Sequence, residues 1–149
     1  MDRINVLIYL NSTGDEALDK QAMAAMELMC KGYNYNIVHG VIDFTDDGTM
    51  SQPIRNMILG YAVTGEIEGV LTIAREMIGD DDKALDFTSM MDDYGVVVET
   101  AADDMDCIYY RMLTRECEDL HDEDSDDRED AEEMIADVVH AVKALYAGD

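Results

Sequence analysis

Residues 4–11, Ile-Asn-Val-Leu-Ile-Tyr-Leu-Asn, decide the fold. The run is apolar almost without interruption rather than alternating, which is the pattern of a strand covered on both faces. Such strands belong to parallel sheets, whose connections cross over through a helix. The next residues fit that demand. Ser12-Thr13-Gly14-Asp15 is turn and cap chemistry, with Ser12 expected to cap the first helix or its turn. Leu18, Ala22, Ala25, Met26 and Met29 then recur at helical spacing, widened by Met23 and Cys30, and Lys31-Gly32 closes the helix.

The alternation continues along the chain. Ile37 to Asp43 reads as a second strand, residues 44–52 as a polar loop, and Pro53 as the first turn of a helix with Ile54, Met57, Ile58 and Tyr61 on one face and Gly65 at its end. Gly69 to Ala74 is a third strand. Asp80-Asp81-Asp82 opens a third helix, where negative charge meets the positive dipole end, and Ala84, Phe87, Met90 and Met91 form its inner face. Gly95 to Glu99 is a fourth strand. Strand–helix alternation of this kind predicts an α/β fold: a flavodoxin-like parallel sheet of four or five strands with helices on both faces. At 149 residues the chain is expected to be one domain, with its core over about 3–100.

The last third differs. Met105 to Leu120 has the pattern of a helix carrying Cys107, Ile108, Met112 and Leu113. An acidic insert spans about 101–130, and residues 118–133 hold 11 acids in 16 positions, a density expected to keep the block a solvated loop. Met134, Ile135, Val138, Val139, Val142 and Leu145 then form a wide apolar stripe on a terminal helix over about 131–146. That stripe needs a cover, either this chain's own sheet or another subunit.

Charge bounds the function. The chain has 35 acidic and 10 basic residues, a formal net charge of −25. Nucleic acid is recruited by Lys and Arg through counterion release, so here the field opposes direct DNA binding and favours basic partners. Adaptation to high salt, a solubilising surface, and mimicry of nucleic acid toward a basic partner all agree with this composition. Cys30, Cys107 and Cys117 have no metal or redox spacing, and His39, His121 and His140 are scattered, so neither metal nor cofactor is expected. His121 beside Asp122, Glu123 and Asp124 lacks the spacing of a calcium loop. The first ten residues lack a signal-peptide core, and no apolar run is long enough to span a membrane. A reducing, cytoplasmic setting is the expectation.

The ordered landmarks resemble the catalytic domain of serine recombinases, the resolvase and invertase family. The family's Tyr-Ala-Arg-Val-Ser-Thr run is matched by Ile8-Tyr9-Leu10-Asn11-Ser12-Thr13, with the tyrosine one position closer to the serine. Its Leu-Asp-x-Gln is matched by Leu18-Asp19-Lys20-Gln21. The family's Asp, Ser-Gly and Arg-Pro correspond to Asp43, Asp47-Gly48 and Gln52-Pro53. Gly65, Ile67, Glu68 and Gly69 to Ile73 follow its next Gly, Ile-Asp and valine-rich strand. Its Leu-Asp-Arg-Leu-x-Arg stands here as Arg75-Glu76-Met77-Ile78-Gly79-Asp80. Tyr94-Gly95-Val96 matches the approach to its fourth strand, and Met134 to Leu145 the start of its dimerisation helix. The resemblance implies a resolvase-like fold, a serine nucleophile at Ser12 that would join DNA through a phosphoserine link, and a homodimer through Met134, Ile135, Val138, Val139, Val142 and Leu145.

The departures set the expected function. Where the family places arginines around the reacting phosphate, this chain has Leu10, Gln52, Met77 and Asp80, and the signature Asp is Glu76. Charge building on phosphate oxygens must be stabilised in place, and each lost donor costs about 10²–10³ in rate. Arg75 could replace one arginine by a register slip, not four. No DNA-docking segment is expected after the terminal helix. The sequence therefore points to a degenerate, non-catalytic recombinase-like protein. It would act by association as a homodimer, or with an active recombinase or other basic partner. The alternative is a DNA-cleaving enzyme using Ser12 and displaced cations in a high-salt cell. A module for small anions at the strand ends is the third reading.

Overall fold

The structure is a computed structural model that describes residues 4–32, 35–45, 49–101 and 125–147. The expected helix over 105–120, Cys107, Cys117, His121 and the Asp47-Gly48 pair lie outside the described residues. Four parallel strands form one sheet in the order β2-β1-β3-β4. They are β1 (Ile4–Asn11), β2 (Tyr35–Asp43), β3 (Gly69–Thr72) and β4 (Val97–Thr100). The helices are α1 (Glu16–Gly32), α2 (Gln52–Val63), α3 (Asp81–Asp93) and α4 (Ser125–Ala147), with a single 3-10 turn at Arg75–Met77.

β1 lies inside the sheet, bonded to β2 on one side and β3 on the other. Ile4 and Val6 to Leu10 are all buried. The crossover through α1 moves outward from β1 to β2, and the crossover through α2 moves back across the sheet to β3. Right-handed connections in opposite directions put α1 and α2 on opposite faces, which is why β1 shows no polar alternation.

Four boundaries differ from the sequence reading. β2 starts two residues earlier, at Tyr35, and Val38 is an extra residue between the pairs Val6–Ile37 and Leu7–His39. β3 ends at Thr72 rather than Ala74 because the chain turns into Arg75–Met77. β4 starts at Val97 because Gly95, at φ 76°, belongs to the turn closing α3. α2 begins at Gln52: the Ser51 hydroxyl accepts from the Ile54 amide, with Pro53 in the first turn.

A fifth difference lies in the acidic block, since α4 begins at Ser125 and not near 131. The block's second half is helical rather than a solvated loop. The packed half downstream supplies the costly nucleus, so each added residue gains a hydrogen bond. α4 packs on α1. Ile135, Val138 and Val142 are buried in the same core as Ala22, Met26 and Met29, Met134 and Val139 are half-buried, and Leu145 is exposed. Among the described residues, no helix is long and apolar enough to cross a membrane.

Cys30 is buried on α1 as expected. Desolvation, and secondarily the charge of Glu27, push its thiol up from 9.0 to about 12. The thiolate is the reactive form, so at pH 8 this thiol is inert. In a Cys107→Ser, Cys117→Ser background, Cys30 is expected to resist alkylation in the folded protein and to label fully in denaturant; labelling of the folded form at the rate of a free thiol would contradict its burial.

Candidate functional site

The site lies at the C-terminal ends of β1 and β2, where open α/β sheets place their ligands. The β1–β2 ladder runs on past the strand, with the Ser12 amide donating to the Asp43 carbonyl at 2.8 Å. Beyond it the chain turns into α1, and Asp19, one turn into that helix, reaches back. Its Oδ2 accepts from the Ser12 hydroxyl at 2.6 Å, and its Oδ1 accepts from the Thr13 amide at 2.8 Å and the Thr13 hydroxyl at 2.7 Å. Asp19 is 7% exposed. Charge-assisted bonds of this length are the strong class, so the serine is held by an anion.

Of the helix or turn that Ser12 was expected to cap, it caps the turn, its Oγ accepting from the Gly14 amide at 3.2 Å. Asp15 caps α1: its Oδ1 accepts from the amides of Ala17 and Leu18. A carboxylate at that position also complements the helix dipole, which a hydroxyl does not.

A second buried network adjoins the serine. Asp43 Oδ2 accepts from the Tyr9 hydroxyl at 3.0 Å and the Ser51 amide at 2.7 Å. Asn11 Nδ2 donates toward the Tyr9 hydroxyl, the Thr45 hydroxyl and the Thr49 carbonyl at 2.9–3.1 Å. Tyr9, out of step with the family's motif, thus ties β1 to the end of β2.

The residues matched to the family's arginines by the sequence reading scatter. Leu10 and Met77 are buried in the core, and the Thr72 hydroxyl points at Met77 Sδ, 3.5 Å away. Gln52 is exposed and donates to Asn56 Oδ1 at 3.0 Å. Asp80 is the N-cap of α3, accepting from the Lys83 amide at 2.9 Å. Glu76, at the signature acid, pairs with Lys143 of α4, both carboxylate oxygens 3.2 Å from Nζ. Gln21 is exposed on α1, and Arg75 is exposed at the start of the 3-10 turn. His39 is an exposed edge residue whose ring stacks on Tyr61.

Two cations that sequence reasoning missed line a cleft of about 210 Å³ between the starts of α2 and α3: Arg55 and Lys83, with Gln52 and Asp86 beside them and Ile78 and Phe87 below. A sequence signal was present. Arg55 follows Gln52 by three residues and Lys83 follows Asp80 by three, the spacing that keeps side chains on one helix face. Arg55 is already paired, with Asp86 Oδ2 at 2.9 Å.

The fold has solved counterparts. The chain is similar to the C-terminal catalytic domain of ISC1926 TnpA, an IS607-like serine recombinase, with a TM-score of 0.58 at 12% identity over 97% of this chain and 99% of that one. The fold is that of a serine recombinase catalytic domain. The N-terminal catalytic domain of TP901-1 integrase matches with a TM-score of 0.56 at 12% identity, over 76% of this chain and 94% of that one. The catalytic domain of IS1535 TnpA, also IS607-like, matches with a TM-score of 0.53 at 15% identity, over 94% of this chain and 98% of that one. No family model matches the sequence, and no curated protein matches it significantly. The likeness of fold thus holds at 12–15% identity.

Proposed function

We propose that this chain is a recombinase-fold protein that does not cut DNA and that works by protein association, regulating recombination or another DNA transaction. The observation that carries this reading is the partner of Ser12. Its hydroxyl is given to the Asp19 carboxylate, whereas phosphoryl transfer needs cations around the attacked phosphorus. Among the described side chains, Lys20, Arg55 and Lys143 are each paired with a carboxylate elsewhere. An anion fixed at the nucleophile and a net charge of −25 both oppose the approach of a DNA phosphate.

The expected result with supercoiled DNA, from low to high salt, is neither nicking nor a covalent protein–DNA adduct. An adduct that disappears in Ser12→Ala would overturn the reading. Arg55 and Lys83 favour the second reading, a cleaving enzyme with displaced cations; under it, cleavage would also fall in Arg55→Ala.

The partner under this proposal is a second copy or an active recombinase. Ile135, Val138 and Val142, expected at the interface, are covered by α1, so the dimerisation stripe is reduced to Leu145 with half-buried Met134 and Val139.

A further inference from the structure

We propose that two copies of this chain associate through the outer face of α2, continued by the edge strand β2. The proposal deepens the association reading above and rests on it only for the claim that the protein acts through contacts with protein.

The surface stands out by what it lacks. Acids make up 35 of the 149 residues, yet there is none from Thr49 to Gly65 and none from Leu28 to Ile42. The fold brings α2 and β2 together, and apart from the buried Asp43 that ends β2 both fall in these two stretches. His39 of β2 stacks on Tyr61 of α2 with ring centroids 6.1 Å apart and planes 25° from parallel. β2 is the outer strand of the sheet. The one charged residue of α2, Arg55, is paired with Asp86.

The outward side of α2 carries Asn56, Gly60 and Val63, spaced four and three residues apart and so on one face. Val63 is 55% exposed. Gly60 is the informative residue. It sits inside the helix without a positive φ, and a Cβ built on it would meet nothing within 4 Å. The chain's own packing therefore gives no reason for glycine at a position where glycine weakens a helix. Close approach of a second backbone from outside would supply one.

The occupant follows from charge. Two copies at −25 repel wherever carboxylates face each other, and a two-fold contact sets a patch against itself. The solvent side of α3 shows the contrast: Asp81, Asp82, Asp92 and Asp93 surround exposed Leu85. A basic partner would be drawn to faces such as that one. Among the described residues, the exposed side chains of α2 and β2 include no acid, and this face is where a like-charged copy can come close.

Sedimentation at about 0.1 M and about 1 M salt tests this, because the screening length falls from about 10 Å to about 3 Å. The expected result is a dimer that tightens with salt. Gly60→Glu, a better helix former than the glycine it replaces, should keep or raise the melting temperature while weakening the dimer at least about tenfold. Val63→Glu should do the same, and Leu145→Glu should leave the dimer intact. A wild-type monomer at both salts, a dimer untouched by Gly60→Glu and Val63→Glu, or one broken by Leu145→Glu would overturn the proposal. DNA cleavage is a separate readout: a monomer that leaves DNA intact sinks this interface alone, and a dimer that cuts DNA sinks the non-cleaving reading alone.

Discussion

Asp19→Ala is expected to lower the unfolding free energy by about 3 kcal/mol, because three donors lose one buried anion at a stroke. The Ser12 hydroxyl, the Thr13 amide and the Thr13 hydroxyl all end on that carboxylate. Hydrogen bonds to charged groups contribute about 1.5–3 kcal/mol each, and a buried amide left without an acceptor adds its own desolvation cost. The effects overlap, since all three bonds fix one turn, so the sum is not taken. In a chain of this size the loss corresponds to a fall in melting temperature of about 6–12 °C, read by calorimetry. Asp19→Asn keeps an acceptor for the Thr13 amide and should lose less than half as much. A change within about 0.5 kcal/mol for Asp19→Ala, the range of an ordinary surface substitution, would mean that the carboxylate does not organise the turn. The alanine variant also frees Ser12 without supplying a cation, so it is not expected to gain DNA cleavage.

The second large effect is expected at Val138→Asp. Val138 is fully buried, on the side of α4 that packs against α1. An unpaired carboxylate in that layer is a charge without compensation, and the cost is on the order of 4 kcal/mol. α4 should leave α1 before it accepts that charge, because the helix lies outside the sheet and can separate without breaking a strand ladder. Hydrogen exchange would then show the amides of α4 losing protection while those of β1 keep theirs. Leu145→Asp on the same helix replaces a side chain that is 53% exposed and should stay within about 0.5 kcal/mol. Equal losses at Val138 and Leu145 would show that the helix buries a different side.

These two substitutions bracket what could be read in advance. The apolar run of β1, the helical spacing of Ala22, Met26 and Met29, and the Asp80 cap are local signals, and each appears in the structure as its spacing implied. The terminal stripe was equally visible, but its partner was not. An apolar face states that it will be covered without stating by what, and α1 and a second subunit satisfy the same hydrophobic demand. The bond from Ser12 to Asp19 was hidden for a related reason. The pair spans a turn and the first residues of a helix, and only the path of that turn brings the carboxylate back over the hydroxyl. Arg55 and Lys83 lie off the motif positions, each three residues beyond one, and only the packing of α2 beside α3 brings them to one cleft.

From the sequence alone came the doubly covered parallel sheet, the excess of acid and the resemblance in the order of landmarks, because periodicity, composition and motif spacing are properties of the chain in order. The tertiary structure alone decided which anion holds Ser12, that α4 closes on α1, and that the acid-free segments of α2 and β2 lie side by side. Those are distances set by the path of the turns, across one turn for Ser12 and Asp19 and between residues far apart in the chain for the other two. No local pattern encodes them, because the same helix or strand can be carried to many places by the turns between.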